Sequence, residues 1–367
     1  MVTRISYSLA AVLGALAAGC GAGGGSGAGS CPEAQTGQLE SQMDATLSQA
    51  VSEVDFSYTV QRRDGRRYTF NRGNSTLQST YQSASSSKLV SAVIILRLVE
   101  QGYLSLGARP QDFIGGWPID SGDSLFPMTL AQLLSFTSGL ALQPEVEPSC
   151  LNDPDSDLES CAFSIANAFA GNGIVPGSEF LYASTHMHVA GLMAVKARGV
   201  ASWQEVYAEF KAQSGLFASS TFDLPSLANP RIAGGMRFTG EDYMAFFKAL
   251  REGRLLNATS MSVLLADHTA SAAMVYSPIF SGIGGGAGLG EDWHYGLGLW
   301  HECRSTTFNC APGARVSSPG ARGTYPFWDR NKGYTGIVVR EGAFGTLTTG
   351  IQIERSVRSS MEQWAAC

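Results

Sequence analysis

Ser85 and Lys88 are the two residues whose types and spacing best suit catalysis. They stand three positions apart, and the apolar run Leu89–Val99 follows directly, closed by Gly102. Glycine is common just past a helix end, so the sequence predicts a buried central helix that begins at this pair. Residues at this spacing share one helix face, and burial disfavours a charged amine. A neutral Lys88 can therefore take the proton of Ser85 and make it a nucleophile.

Tyr182 is a second candidate, since it lies in Pro176–Ser184 between a Pro-Gly turn and a predicted helix. Held near an ammonium, its phenol can ionise and serve as a base. A loop tyrosine is more often a packing residue, so this signal is weak alone. His186 and His188 lie nearby, but a spacing of two suits neither one helix face nor a metal-ligand set. We expect both histidines to be structural.

A third set of residues, Ser318–Gly323, is small and opens a predicted strand. Small residues there let backbone N–H groups approach a substrate, as a developing oxyanion requires. Glycine turns before strands are common, so this signal is also weak alone. Trp300, Trp328 and His294 are candidate apolar walls of a pocket, and packing in the core or at the rim is at least as common for such residues.

Composition sets the broad class of the protein. The chain has 367 residues, 44% of them apolar, and a net charge of −6 without a run of like charges. It can bury a sizeable core, as one large domain or two small ones, and nothing points to a nucleic-acid partner. No cysteine or histidine cluster has metal-ligand spacing, so we expect no metal site.

Residues 1–30 are predicted to lie outside the fold. Residues 1–19 have a basic start, an apolar segment and small residues ahead of Cys20, which resembles the lipobox of bacterial lipoproteins, where the cysteine is lipidated. Ala17 stands where that box more often has leucine, and a plain signal peptide is the alternative. Residues 20–30 are rich in glycine and serine and predict a flexible tether. Residues 31–367 are then a single domain.

Six cysteines follow Cys20, an even number that predicts disulfides in an exported chain. Several pairings are possible. Proximity in the sequence favours Cys150–Cys161 and Cys303–Cys310, which leaves Cys31 with Cys367. That last bridge would tie the first folded residue to the last.

Strand patterns lie at both ends of the chain, with helices between them. Asp55–Asn71 alternates around an Asp-Gly turn and predicts a hairpin. The predicted C-terminal strands are His294–His301, Thr324–Trp328, Thr335–Arg340 and Gly345–Ile353. The predicted helices are Gln35–Val54, the one after Ser85, a short one capped by Thr129, Val189–Arg198, Tyr243–Arg251 and Arg355–Ala366. Residues 141–179 are predicted to be mostly loop. The simplest single fold joins the hairpin to the C-terminal strands in one antiparallel sheet.

Taken in order, three motifs resemble those of the serine beta-lactamase and penicillin-binding-protein superfamily. Ser85–Lys88, Tyr182–Ser184 and Ser318–Gly320 stand where that superfamily has Ser-x-x-Lys, Tyr-x-Asn and Lys/His-x-Gly. The similarity is greatest to the class C beta-lactamase-like branch, which includes carboxylesterases and D-amino-acid peptidases. Supporting stretches are Leu98–Leu104, Met128–Leu134, Thr137–Leu140 and Ala233–Met236.

The resemblance implies an α+β fold, with helices on both faces of the antiparallel sheet and an inserted, mostly helical region. It also implies roles: Ser85 as the acylated nucleophile, Lys88 as its proton acceptor, and Tyr182 as a base or proton shuttle. The backbone amides of Ser85 and Ala321 would form the oxyanion hole. The substrate-binding residues would be Ser184, Ser318, Gly320 and Trp300. No metal or organic cofactor is implied.

Two positions depart from the superfamily pattern. Ser184 replaces an asparagine that touches the lysine and the substrate amide, and Ser318 replaces a cation that holds a substrate carboxylate. Both changes argue against an efficient beta-lactamase or D-Ala-D-Ala peptidase and favour an uncharged ester, lactone or amide. Arg315 and Arg322 are the residues placed to restore the charge.

The sequence therefore predicts an exported, lipid-anchored serine hydrolase of the bacterial cell envelope, facing the periplasm or the exterior. It would hydrolyse a small ester through an acyl-enzyme. The first alternative is an amide, beta-lactam or peptide substrate for the same machinery. The second is a non-catalytic envelope binding protein on an inactivated hydrolase scaffold. The oligomeric state is not specified by the sequence.

Overall fold

The computed structural model describes residues 31–141 and 147–367. The predicted signal segment, Cys20 and the tether lie outside the described residues. Within the described ranges the α-helices are α1 Glu33–Ser48, α2 Ser87–Glu100, α3 Leu130–Leu134, α4 Leu158–Phe169, α5 Thr185–Arg198, α6 Trp203–Ser214, α7 Gly240–Arg251, α8 Ala258–Leu264, α9 Pro278–Ser281 and α10 Leu347–Ala366. Short 3-10 turns lie at Ala84–Ser86, Pro110–Asp112 and Ser149–Asn152.

The strands are short, and half of those described lie in one main sheet. They are β1 Ser57–Arg62, β2 Arg67–Asn71, β3 Thr80–Gln82, β4 Glu179–Leu181, β5 Thr221–Phe222, β6 Met236–Thr239, β7 Ala273–Tyr276, β8 Gly282–Ile283, β9 Gly286–Ala287, β10 His294–Tyr295, β11 Trp300–His301, β12 Arg315–Ser317, β13 Tyr325–Asp329 and β14 Tyr334–Val339. The main sheet has the order β10-β11-β12-β13-β14-β1-β2.

The N-terminal hairpin joins the C-terminal strands, which confirms the predicted α+β arrangement. Strand β1 pairs antiparallel with β14 from Ser57 opposite Val339 to Arg62 opposite Tyr334. All six residues of β14 are buried. Since neighbouring strand residues point to opposite faces, helices must cover both faces at the centre of the sheet. Helices α7 and α10 both contact β14.

Helices α1 and α10 pack against each other and bring the two ends of the folded chain together. Cys31 and Cys367 lie at disulfide distance there, with Cα atoms 4.8 Å apart. Cys150 with Cys161 and Cys303 with Cys310 are likewise at bonding distance. The three pairs are the ones that the sequence predicted.

Helix α2 is the buried central helix that the sequence predicts. Its residues from Ser87 to Leu96 are all buried, as is Leu98. It contacts α5 and α8, and the 3-10 turn that bears Ser85 precedes it directly. Because α2 is enclosed, its first turn holds Lys88 rigidly, while Ser85 lies just ahead of the helix in the 3-10 turn and not in the first helical turn that the sequence predicts. No helix in the described ranges is both long and apolar enough to cross a bilayer.

Several predicted element boundaries are wrong. Gly345–Ile353 is not a strand, since α10 begins at Leu347 and buries Leu347 and Ile351, four residues apart, on one helix face. His294–His301 is two short strands with a turn between them, and Gly298 in that turn has φ +75°. Helix α1 ends at Ser48, which leaves Val51 90% exposed. The predicted loop region 141–179 contains α4, capped by Asp157.

Candidate active site

The backbone ahead of α2 presents Ser85 to a cleft of about 700 Å³. Ala84 has φ +44°, a left-handed conformation that strains a residue with a Cβ. Hydrogen bonds hold this turn: the Ser87 hydroxyl donates to the Ala84 carbonyl at 2.8 Å, and the Ser83 hydroxyl donates to the Met236 carbonyl at 2.7 Å. The serines flanking Ser85 therefore fix its backbone and leave its own side chain at the cleft.

Lys88 is buried beside this hydroxyl. Its Nζ lies 2.8 Å from Ser85 Oγ and 3.0 Å from the Ala233 carbonyl oxygen, and the residue is only 2% exposed. Burial lowers the pKa of Lys88 to about 7; the carboxylate of Glu147 opposes this shift and the guanidinium of Arg231 adds to it. At neutral pH a large fraction of Lys88 is neutral and can accept the Ser85 proton.

Tyr182 lies against the same lysine, with Lys88 Nζ 4.7 Å from its ring centroid. The ring stacks on Trp300 at 5.2 Å and meets Phe136 edge-on at 5.3 Å. Burial raises the pKa of the Tyr182 phenol well above its usual value, and a hydrogen bond with Ser85 offsets this only in part. The resting phenol is thus protonated, which favours a proton shuttle over a standing phenolate base.

Ser85 and Ala321, whose amides would form the predicted oxyanion hole, both line the cleft. Within the described ranges neither N–H donates to an acceptor. Around Ala321 a tight turn is closed by Gly323 N donating to the Gly320 carbonyl at 2.8 Å, and Gly345 N donates to the Ala321 carbonyl at 2.9 Å. Fixed, unpaired amides of this kind are what a developing oxyanion needs.

Three of the four predicted substrate-binding residues lie behind the cleft wall. Ser318 is 3% exposed, and its hydroxyl donates to the Ser85 carbonyl at 3.2 Å. A Cβ at Gly320 would lie 2.4 Å from the Ser83 carbonyl oxygen, so only glycine permits this approach. Trp300 is buried behind Tyr182. Ser318 and Gly320 pack against the turn that bears Ser85. None of the three residues lines the cleft.

Ser184 does line the cleft, at the start of α5. Its backbone N–H donates to Glu147 Oε1 at 2.5 Å. The hydrogen bonds of Lys88 Nζ go to Ser85 and to the Ala233 carbonyl. Ser184 therefore does not take over the contact with the lysine that the superfamily asparagine makes.

The sequence reasoning missed Glu147, Arg231 and the Ala233 carbonyl. Glu147 and Arg231 form an ion pair at the cleft although they are 84 positions apart in the chain. No local spacing could reveal that pair. The stretch Ala233–Met236 is part of the resemblance, but a backbone carbonyl leaves no trace of its role in residue type.

The two arginines proposed to restore a cation differ in position. Arg315 is buried between β-strands and α10, where it pairs with Glu302 and Glu354 at 2.9 Å each. It does not line the cleft. Arg322 does line it, and its Nη1 donates to the Gly342 carbonyl at 3.2 Å. Within the described ranges Arg322 has no carboxylate partner.

The two histidines near Tyr182 are buried in α5. His186 Nδ1 lies 2.8 Å from the Ser138 hydroxyl and its Nε2 lies 3.0 Å from the Leu181 carbonyl oxygen. Burial lowers the pKa of His186 to about 3, so the ring is neutral. His186 has the structural character expected of it, and His188 is likewise buried, which lowers its pKa to about 3. The part of the chain that the structure describes contains no cluster of three or more potential metal ligands.

Comparison with known proteins identifies the family to which this fold belongs. The Beta-lactamase family profile matches residues 58–346. Penicillin-binding protein 4 of Amycolatopsis lactamdurans is 28% identical over 130 residues, which is 35% of this chain and 32% of that protein. The match thus spans only about a third of that relative's length.

Two solved structures share the fold over nearly their whole length. EstCE1, described as a hydrolase with promiscuous acyltransferase activity, has a TM-score of 0.68 at 16% identity and covers 88% of this chain and 98% of its own. D-amino acid amidase from Ochrobactrum anthropi SV3 has a TM-score of 0.65 at 14% identity, with 90% and 99% covered. The chain belongs to the beta-lactamase family, a family of serine hydrolases.

Proposed function

We propose that this protein is an ester hydrolase that acts through an acyl-enzyme at Ser85. The single observation that carries the proposal is the 2.8 Å contact between Lys88 Nζ and Ser85 Oγ inside the cleft. The amine is buried and its pKa lies near 7, so a proton acceptor stands beside the hydroxyl at neutral pH. The intact set of Ser85, Lys88 and Tyr182 weighs against a non-catalytic binding protein on the same scaffold.

In acylation, Ser85 Oγ attacks the ester carbonyl while its proton passes to neutral Lys88. The amides of Ser85 and Ala321 stabilise the negative charge on the carbonyl oxygen. The Tyr182 hydroxyl is hydrogen-bonded to Ser85, and the Tyr182 ring lies close to Lys88. This hydroxyl relays the proton from Lys88 to the departing alcohol. The products of this half-reaction are the free alcohol and an acyl group on Ser85.

In deacylation, a water molecule attacks the acyl carbonyl and gives its proton to the same relay. Ser85 Oγ leaves and is reprotonated, and the acid is released. Tyr182 is placed to orient that water, because its hydroxyl is hydrogen-bonded to Ser85 in the free enzyme and its ring lies 4.7 Å from Lys88 Nζ.

The lining of the cleft favours an uncharged substrate with an apolar part. Leu224, Pro225, Ile283 and Phe344 line it, and Phe344 is 55% exposed at this position. An exposed aromatic ring in the same cleft as the nucleophile offers a surface for an acyl or alcohol group. Ser318 supplies no cation and is buried below Ser85, so the usual carboxylate contact of the third motif is missing.

A second candidate substrate is an amide, peptide or beta-lactam that carries a carboxylate. The observation in its favour is Arg322, a cleft-lining guanidinium without an ion pair among the described residues. A substrate carboxylate could bind it in place of the absent lysine or histidine at position 318.

A substrate panel separates the two. p-Nitrophenyl esters with neutral acyl groups, nitrocefin and a D-Ala-D-Ala peptide are compared by kcat/KM. We expect the neutral esters to be turned over fastest, with a burst of p-nitrophenol equal to the enzyme present. Faster turnover of nitrocefin or of the peptide would replace the ester proposal with the second candidate.

We also propose that the protein is exported to the cell envelope and anchored through a lipid on Cys20. The three cysteine pairs at bonding distance support an oxidising compartment. The test is metabolic labelling with a palmitate analogue and membrane fractionation of the full chain and of Cys20→Ser. Label and membrane association that survive Cys20→Ser would contradict the anchor.

A further inference from the structure

Glu147 joins two separate segments of the cleft wall through one carboxylate. Its Oε1 accepts the Ser184 amide at 2.5 Å, and its Oε2 accepts a guanidinium N–H of Arg231. Both charged side chains are mostly buried, with 25% and 22% exposed. A charge-assisted pair in such a place is stronger than one on an open surface.

Each of the two segments carries a group that contacts Lys88. Ser184 lies two residues after Tyr182, whose ring is 4.7 Å from Lys88 Nζ. Arg231 lies two residues before Ala233, whose carbonyl accepts Lys88 Nζ at 3.0 Å. The turn from Arg231 is tight, since Gly235 N donates to the Arg231 carbonyl at 2.6 Å. A shift of either segment would therefore move a neighbour of the lysine.

The bridge made by Glu147 lies at the position where the contact between the superfamily asparagine and the lysine is missing. The resemblance places an asparagine at position 184, with its side chain on the lysine, and serine does not make that contact here. We propose that Glu147 is a positioning residue, which holds Tyr182 and the Ala233 carbonyl around Lys88 through the Ser184 amide and Arg231. The proposal rests on the proposed function, because it assigns a role within the same Ser85–Lys88 machinery.

The charges around Lys88 set its pKa, so a change in that pKa can be used to test the proposal. The titratable or charged groups that face this lysine are Tyr182, His186, Glu147 and Arg231. Burial keeps Tyr182 and His186 neutral at pH 7, so Glu147 and Arg231 are the two charges that act on it. They act in opposite directions: the carboxylate raises the pKa of Lys88 and the guanidinium lowers it.

The experiment measures the rate of Ser85 labelling by a fluorophosphonate against pH, in the full chain and in Glu147→Gln, Arg231→Gln and the double variant. Acylation needs neutral Lys88, so the rate rises with pH through the pKa of the lysine. We expect the midpoint to fall by at least about half a pH unit in Glu147→Gln and to rise by a similar amount in Arg231→Gln. In the double variant it should return close to the wild-type value.

Glu147→Ala separates positioning from charge. Glutamine keeps an oxygen for the Ser184 amide, whereas alanine removes it. At a pH well above the midpoint we expect Glu147→Ala to label at least about tenfold slower than Glu147→Gln. The matched control is Glu209→Gln, which breaks the comparably buried Arg198–Glu209 pair on α5 and α6 and should leave rate and midpoint unchanged.

The outcomes separate the claims. Midpoints that stay fixed in both single variants, or that move in the same direction, would overturn the role of Glu147, even if thermal stability fell. Equal rates for Glu147→Ala and Glu147→Gln at high pH would do the same. If the wild-type chain is not labelled at Ser85 at any pH, the proposed function itself fails, and this inference fails with it.

Discussion

The hydroxyl of Ser318 donates a hydrogen bond to the backbone carbonyl of Ser85, 3.2 Å away. Ser318, the first residue of the motif Ser318–Gly320, therefore supports the backbone of the nucleophile. Its side chain does not line the cleft. This changes the meaning of the serine at position 318. The missing cation is not simply lost from the cleft, because the side chain at this position is buried and has a structural partner.

Ser318→Ala tests this support. Loss of a buried hydrogen bond should cost about 1 kcal/mol of unfolding free energy. We expect labelling of Ser85 to slow by a few-fold, because the turn that holds it is less constrained. Ser57→Ala is a matched control, since Ser57 is buried in β1 and bonds Ser75 at 2.9 Å. A similar loss of stability without slower labelling is expected there; slower labelling in both variants would show only a general loss of stability.

Lys88→Met should abolish turnover and stabilise the fold. Burial lowers the pKa of Lys88 from 10.5 to about 7 in the folded state, so the unfolded chain binds more protons between these values. The cost of burying the charge is complete below pH 7 and disappears as the pH approaches 10.5. Melting temperatures of both proteins at pH 6 and pH 10 check this. The gain in Lys88→Met should be larger at pH 6, and a gain that is larger at pH 10 would contradict the sign.

Tyr182→Phe should slow deacylation more than acylation. The ring still stacks on Trp300, but the proton relay is lost. We expect kcat on p-nitrophenyl esters to fall at least about a hundredfold, with an acyl-enzyme that accumulates and is visible by mass spectrometry. The control Tyr295→Phe removes another buried hydroxyl, 6.0 Å away between ring centroids, and should leave kcat within a few-fold. Equal kcat values for the two variants would remove Tyr182 from the mechanism.

Arg322→Ala tells the two substrate classes apart. For an ester without a charge we expect kcat/KM to change by less than about threefold, since no charged group meets the guanidinium. For a substrate with a carboxylate we expect KM to rise at least about tenfold. The measurement is a pair of p-nitrophenyl esters that differ only in a terminal carboxylate. An equal loss on both would show that Arg322 shapes the oxyanion turn and does not recognise charge.

The sequence predicts those parts of the fold that are governed by local pattern. The hairpin around Asp64-Gly65, the central helix after Ser85 and the closing of one sheet by both ends of the chain are all confirmed. The error at Gly345–Ile353 has a simple cause. Leu347, Ile351 and Ile353 fit a short alternating strand, whereas Leu347 and Ile351 also fit one face of a helix, and only packing against the sheet decides between the two.

The candidate site is predictable only where residue type carries the chemistry. Ser85, Lys88, Tyr182 and Ala321 line one cleft, as their order in the sequence suggests. Contacts made by the backbone, such as the Ala233 carbonyl on Lys88, have no signature in residue type. Long-range charge pairs such as Glu147 with Arg231 depend on the fold itself, so they become visible only in three dimensions.

The measurement that tests the central claim most directly is the mass of the covalent adduct formed by the wild-type protein. The chain is incubated with a fluorophosphonate at pH 8, digested and mapped, with Ser85→Ala and Ser87→Ala treated in parallel. We predict one adduct, on Ser85, which is absent from Ser85→Ala and retained in Ser87→Ala. No adduct, or an adduct on another serine that persists in Ser85→Ala, would contradict the assignment of Ser85 as the nucleophile.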